Sequence, residues 1–200
     1  MKKLGGFALA CVCILGLVSL ASAQIGIGAG IHGGYGIYST EESNGGMDFG
    51  LNVNISIMPM LSGQLFADYF LHSESHDSTL TEPYQYDLKY TDIPIGLHLI
   101  YDINIPGSPI KPYLGAGASV HIFSSKFTYS DAQMDTTVSE TKFGVGGVGG
   151  VEFTATPQLG IFLELRDHYI LTSEEIEGTT EKTKNTNALY ILGGVNYHFM

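Results

Sequence analysis

The chain has 200 residues, 26 glycines, 12 tyrosines and 10 phenylalanines, and its 20 acidic against 9 basic side chains give a net charge of −11. With so few basic side chains, no positive patch can neutralise phosphates, which excludes a nucleic-acid-binding protein. The length suits a single domain.

The N-terminus has the three parts of an export signal. Met1–Lys3 is basic, residues 4–20 are apolar, and Ala21–Ala23 is a small-residue cleavage site. We therefore predict a cleaved signal peptide over 1–23 and one domain over 24–200. An uncleaved membrane anchor is the alternative, whereas a lipoprotein needs a cysteine after the apolar stretch. Cys11 and Cys13 lie inside that stretch, so the mature domain has no cysteine and no disulfide.

Eight segments then alternate apolar residues with small or polar ones, which is the period of a β-strand. The segments are 25–38, 48–57, 62–72, 88–103, 110–123, 142–155, 159–172 and 187–200. In the seventh, for example, Leu163 and Leu165 alternate with Glu164 and Arg166. Each segment is long enough for a tilted membrane-spanning strand, and the mature chain has no apolar stretch long enough for a membrane-spanning helix.

The connections between these segments alternate in length. Residues 58–61, 104–109 and 156–158 are short connections, and the other four are longer and rich in Ser, Thr and acidic residues. The pattern predicts an all-β fold: an eight-stranded antiparallel up-and-down transmembrane β-barrel with short periplasmic turns and four longer extracellular loops. Strand 8 must pair with strand 1, because an open sheet edge is too costly in hydrocarbon.

Alternation alone does not decide which face meets lipid. A soluble, lipocalin-like barrel would turn its apolar row inward around a cavity. Aromatic residues at the strand ends favour the membrane, where rings collect at both interfaces. The predicted outer girdle is Tyr35, Phe49, Tyr69, Phe143 and Tyr169, and the predicted periplasmic girdle is Tyr101, Phe153, Tyr197 and Phe199.

The enclosed face carries ionisable residues. Those predicted to lie in the interior are His32, Asp68, Asp92, His98, Glu152, Glu164, Arg166 and His168. Buried charges require pairing, so we expect Arg166 to form a network with Glu152 and Glu164, with glycines of strands 1, 5 and 6 making room. A proton or ion path is the alternative. An eight-stranded interior is too narrow for a general diffusion pore.

Two groups contain the residue types of a hydrolase. They are the run His72-Ser73-Glu74-Ser75-His76, and His168 with Ser173 and Glu174. The pair His72 and His76 with Asp77 could also bind a metal if the loop folded back. Residues 144–150 are glycine-rich but are followed by no helix or lysine, so they form no phosphate loop. We interpret the runs as hydrophilic loops, and predict no catalytic, cofactor-binding or metal site.

The run Tyr90-Thr-Asp-Ile-Pro-Ile-Gly-Leu-His-Leu-Ile-Tyr101, followed by Lys111-Pro-Tyr-Leu-Gly-Ala-Gly-Ala118, resembles the small outer-membrane β-barrel families of Gram-negative bacteria. These are described as porin-family or OmpX/OmpA-like barrels. The resemblance implies a monomeric integral barrel but no single activity. Such families usually end in an aromatic residue for the barrel-assembly machinery, whereas here Met200 follows Phe199.

We therefore expect a non-catalytic protein of the Gram-negative outer membrane, with a structural or surface-interaction role in adhesion or envelope integrity. A narrow channel for small or hydrophobic solutes is the alternative, and a lipid A-modifying enzyme is a third reading. The expected partners are outer-membrane lipid and lipopolysaccharide, the assembly machinery, and an extracellular partner of the acidic loops. Those loops carry Glu41, Glu42, Glu74, Asp77, Glu82, Asp131, Asp135, Glu140, Glu174, Glu175, Glu177 and Glu181.

Overall fold

A computed structural model describes residues 26–39, 45–77, 85–129, 135–171 and 185–199. The predicted signal peptide, 1–23, lies outside the described residues. Within the described ranges there is no helix of the length and hydropathy needed to cross a membrane.

Eight antiparallel strands form a closed barrel in which each strand pairs with its neighbours in the sequence and β1 pairs with β8. The strands are β1 (Ile27–Tyr38), β2 (Gly46–Met58), β3 (Leu61–Asp77), β4 (Gln85–Asp102), β5 (Ile110–Tyr129), β6 (Asp135–Thr156), β7 (Leu159–Leu171) and β8 (Thr186–Phe199). The closing register runs from Ile27 opposite Phe199 to Tyr38 opposite Ala188. The predicted strand count, order and closure are confirmed.

The two faces of the sheet differ as a membrane barrel requires. Along β7, exposed and buried residues alternate without a break over thirteen positions. Leu163 is 57% exposed on the outer face, whereas the neighbouring Glu164 is 0% exposed. The apolar row therefore faces outward, and the lipocalin-like alternative is wrong, because a water-facing surface would not carry this continuous apolar band. Asp167 also lies on the outer face, two positions from Tyr169 of the outer girdle.

Short turns join the strands at the periplasmic end. Met58 and Leu61 bound the first, and Thr156 and Leu159 bound the last. In the last turn the Thr156 hydroxyl accepts the backbone N–H of Leu159 at 3.1 Å. The middle turn contains Gly107 at a φ of 78°, a left-handed conformation that glycine adopts without strain. These turns keep the ends of β2 and β3, of β4 and β5, and of β6 and β7 together at the periplasmic end.

At the opposite end, four strands extend further than the sequence indicated. β3 to β6 have 17, 18, 20 and 22 residues, whereas the other strands have 12 to 14. Within the segments 73–87 and 124–141, interpreted from the sequence as loops, residues 73–77, 85–87, 124–129 and 135–141 are strand, because pairing continues to Asp77 opposite Gln85 and to Thr128 opposite Asp135. Beyond the lipid both faces meet water, so the apolar alternation disappears while the backbone ladder continues. We call this raised part, residues 73–77, 85–88, 124–129 and 135–141, the outer extension.

Candidate functional site

Large side chains fill the interior at the outer end of the barrel. This outer plug consists of Tyr38, Phe70, Phe123, Ile170, Ala188, Tyr190 and Leu192, all buried. The ring centroids of Tyr38 and Phe70 are 4.7 Å apart. The hydroxyls of Tyr38 and Tyr190 hydrogen bond at 2.5 Å. Since Tyr38 is the last residue of β1, the plug lies where the strands approach the outer membrane surface.

A chain of hydrogen bonds lies beneath the plug. Asp92 Oδ2 accepts the Tyr38 hydroxyl at 2.6 Å and lies 2.7 Å from His121 Nδ1. The other ring nitrogen of His121 is 2.9 Å from the Ser119 hydroxyl and 3.2 Å from His168 Nδ1. These groups are buried, so each hydrogen bond replaces one that water would otherwise provide.

The centre of the interior holds an ion network around Arg166. Its guanidinium donates to Glu164 Oε1, with Nη2 at 2.6 Å and Nε at 3.1 Å, and Nη1 pairs with Asp68 Oδ2. The guanidinium carbon also lies 4.2 Å from the Phe66 ring centroid. Tyr113 donates its hydroxyl to Glu164 Oε2 at 2.8 Å. The predicted pairing of Arg166 with Glu164 is therefore present, and Asp68 is its second partner.

The predicted pairing of Arg166 with Glu152 is wrong. Glu152 instead accepts Asn196 Nδ2 at 2.6 Å and lies 3.0 Å from His198 Nε2. In the β6–β7 register Arg166 is opposite Val148, so Glu152 lies four residues closer to the periplasm. Four residues of strand span about 13 Å, beyond the reach of a direct ion pair.

Glu152 lines a cavity of about 350 Å³ at the periplasmic end. Lys111, Tyr113, Asn196 and His198 also line it, together with residues next to the short turns. We call this cavity the periplasmic cup. The Arg166 network and then the outer plug lie between it and the outer surface. The cup therefore ends inside the barrel.

A second group of ionisable residues lies on three adjacent strands. His32 in β1, Gly50 in β2 and Asp68 in β3 are aligned across the sheet, and His32 Nε2 is 2.9 Å from Asp68 Oδ1. A Cβ on Gly50 would overlap both side chains, so the glycine provides their space. Gly50 is in β2, whereas the sequence predicted that glycines of strands 1, 5 and 6 would make this room. For His98 the prediction that glycines of strand 5 make room is confirmed, because a Cβ on Gly117 of β5 would overlap the His98 ring.

Asp48 completes this group, although it was not among the interior residues predicted from the sequence. It is 0% exposed, and neither carboxylate oxygen has a hydrogen-bond partner. Its position shares the parity of Gly50 and Asn52 on the inward face of β2, so the alternation contained the signal. Asp48 was overlooked because it stands at the first position of the predicted segment.

Of the side chains in the two groups that contain the residue types of a hydrolase, the structure describes those of His72 and His168. His168 is buried beside His121, whereas Ser173 and Glu174 lie outside the described residues. The run from His72 to His76 belongs to β3 rather than to a loop, and His72 Nδ1 contacts the Gly45 carbonyl. The side chains of His76 and Asp77 lie outside the described part, so the structure does not test the prediction that these residues bind no metal.

Closed strand pairing, an apolar lipid-facing row, aromatic girdles and an interior of paired charges define an integral β-barrel of the Gram-negative outer membrane. The family described as "Outer membrane protein beta-barrel domain" matches residues 7–199, and the chain belongs to this family. No curated protein matches the chain in sequence.

Several solved structures share the fold. Neisserial surface protein A is 21% identical, with a TM-score of 0.55, covering 88% of this chain and 98% of that one. A major outer membrane protein from Thermus thermophilus is 16% identical, with a TM-score of 0.64 and coverage of 86% and 99%. Ail of Yersinia pestis, in complex with the heparin analogue sucrose octasulfate, is 12% identical, with a TM-score of 0.56 and coverage of 88% and 100%. At these identities the similarity shows the fold alone.

Proposed function

We propose that this outer-membrane barrel is a non-catalytic surface-interaction protein that acts through its outer extension and its four acidic outer connections. The observation that carries the proposal is the outer plug, in which Phe70, Ile170, Tyr190 and Leu192 are each 0% exposed. A plug of this kind favours the interpretation that no solute passes through the barrel. It leaves the outer surface as the part through which the protein acts on its surroundings.

The charge of the outer surface indicates the kind of partner. Most of the 20 acidic residues of the chain belong to the four outer connections and the outer extension. Four of them fall within residues 174–181. A sulfated polyanion, the kind of ligand seen with Ail, would be repelled by this surface. A basic protein surface, or the divalent cations held by lipopolysaccharide, has the complementary charge.

The paired strands of the outer extension support this role physically. The paired strands end at Asp77 and Gln85 and at Tyr129 and Asp135, and a binding surface carried on paired strand ends loses less conformational entropy when a partner binds. Binding surfaces are commonly carried by loops positioned on a rigid scaffold, which is the arrangement here.

The first test is retention of cells that display the protein on polylysine-coated and heparin-coated glass. We expect retention on polylysine only, with a several-fold loss when Glu174, Glu175, Glu177 and Glu181 are changed to Gln. Changing Gln158 and Asn104 in the periplasmic turns to Ala is the matched control and should leave retention unchanged. Equal retention of the glutamine variant and the wild type would contradict the proposal.

Two further measurements separate the other candidate functions. Planar-bilayer recording of refolded protein should show no ion steps, whereas regular steps would favour the narrow channel. Mass spectrometry of lipid A from cells with and without the protein should show identical acyl chains. A gained or lost acyl chain would favour an enzyme.

A further inference from the structure

We propose that His32, Asp48 and Asp68 bind one divalent transition-metal ion, of the Zn²⁺ or Mn²⁺ class, inside the barrel. One ring nitrogen of His32 and one carboxylate oxygen from each aspartate lie within 4.8 Å of one another. Ligands at about 2.1 Å from a shared ion are themselves about 3 to 4 Å apart. Small side-chain rotations therefore bring all three onto one ion.

The backbone explains why these three side chains meet. They come from β1, β2 and β3, which are consecutive in the barrel wall. His32 and Asp68 flank Gly50, where any Cβ would overlap Asp68 Oδ1 and His32 Nε2. Asp48 is two residues along β2 and so is on the same inward face. The glycine opens a space with an imidazole and a carboxylate on its two sides and a second carboxylate above.

Asp48 provides an independent reason for a cation. It is fully buried, both of its oxygens are without a hydrogen-bond partner, and the Nδ1 of the adjacent His32 is also without one. An ionised carboxylate in such a place is strongly destabilising unless a positive charge or hydrogen-bond donors compensate it.

Fixed positive charge in the described interior is too scarce to compensate Asp48. Arg166 is the only Arg or Lys among the buried residues that the structure describes, and its guanidinium is held by Asp68 and Glu164. Asp92 is held by His121 and Tyr38. A divalent cation between Asp48 and Asp68 supplies the missing charge.

The ligand set selects the class of metal. An imidazole with two carboxylates suits Zn²⁺, Mn²⁺ and Fe²⁺, whereas Ca²⁺ and Mg²⁺ prefer more ligands and oxygen alone. Asp68 also contacts Arg166 through its second oxygen, which fixes the orientation of the carboxylate as outer-shell partners do in metal sites. Because the group is buried, the ion enters while the barrel folds and ties β1, β2 and β3 together.

The test is metal content after refolding. The mature chain is refolded into detergent micelles with Zn²⁺, Mn²⁺ or Mg²⁺, desalted and analysed by elemental mass spectrometry. We expect about one Zn²⁺ or Mn²⁺ per wild-type barrel, no retained Mg²⁺, and at least about tenfold less retained metal in Asp48→Asn. A wild-type barrel that retains no metal, or an Asp48→Asn barrel that retains as much as the wild type, would overturn the proposal.

Controls separate this site from other histidines. His198→Gln at the periplasmic cup and His72→Gln should retain wild-type metal content. Heat-modified migration on a gel verifies that each variant is folded. If Asp48→Asn does not fold, X-ray absorption at the zinc edge of the wild type decides: one imidazole with oxygen ligands supports the site, and any other ligand set contradicts it. The outcome leaves the proposed surface role untouched, since that role depends on the outer connections.

Discussion

Arg166 shows how a single residue organises a barrel interior. It is 1% exposed, pairs with Asp68 and Glu164, and stacks on Phe66. A buried pair need not stabilise a protein relative to an apolar packing, but removing one partner leaves the other charge uncompensated. The large energetic effect is therefore expected from breaking the network rather than from its presence.

Changing Arg166 to Met should lower the free energy of unfolding by about 3 to 5 kcal/mol, because two carboxylates lose their cation. Urea unfolding in micelles, followed by far-ultraviolet circular dichroism, measures this in a chain without tryptophan. Lys142→Met is the matched control, since Lys142 pairs with the exposed Glu140 at 2.9 Å. That change should cost about 1 kcal/mol or less. Adding Glu164→Gln to Arg166→Met should recover part of the lost free energy of unfolding. Equal losses for Arg166→Met and Lys142→Met would contradict the network.

At the scale of the elements, the strands fall into a short group and a long group. β7, β8, β1 and β2 have 12 to 14 residues, while β6 has 22. β6 begins at Asp135, eight residues before its first pairing with β7 at Phe143, and at about 3.3 Å per residue these eight residues span roughly 25 Å along the strand direction. Because Asp135 is at the outer end of β6, this difference appears at the outer surface.

Hydrogen exchange tests the outer extension directly. Amides of residues 124–129, and every second amide of residues 135–140, should exchange at least about a hundredfold more slowly than an unstructured chain, because they are hydrogen-bonded in the β4–β5 and β5–β6 ladders. Asn104 and Gly107 in the middle periplasmic turn serve as the fast-exchanging reference. Exchange of both outer segments at the rate of these turn residues would favour the loop that the sequence alone indicated.

For the whole molecule, closure between the first and last strands is decisive. Ile31 faces Val195 across this seam, and both side chains point to the lipid. Without this pairing, the edges of β1 and β8 would expose unsatisfied backbone groups to hydrocarbon.

A cysteine pair at Ile31 and Val195 should form a disulfide on mild oxidation of the refolded barrel. The predicted mature chain has no other cysteine, so the product is unambiguous on a reducing and non-reducing gel. Ile31 with Ile191 is the control pair, because Ile191 is opposite Tyr35, four residues or about 13 Å away. That distance exceeds the reach of a disulfide. Cross-linking of the control pair with equal yield would contradict the register.

Much of the fold could be predicted because lipid and interior impose different chemistry on alternate residues. Leu163 and Glu164 show this clearly, and so do the short turns, where Pro and Gly interrupt the pattern. The outer extension could not be predicted in the same way, because water lies on both of its faces. Register was also beyond the sequence, so Glu152 was paired with Arg166 although the stagger of β6 and β7 separates them. Asp48 could have been placed from its parity, but the closeness of its oxygens to Asp68 depends on the three-strand alignment.

The barrel interior is layered from the periplasmic cup through the Arg166 network to the outer plug. The cup opens among residues of the periplasmic turns, and the tightly packed aromatic layer lies at the far end. A solute entering from the periplasmic side would meet the Arg166 network and then the outer plug. Under the proposed surface role, a few rings near the external leaflet are the barrier that keeps such a solute from crossing.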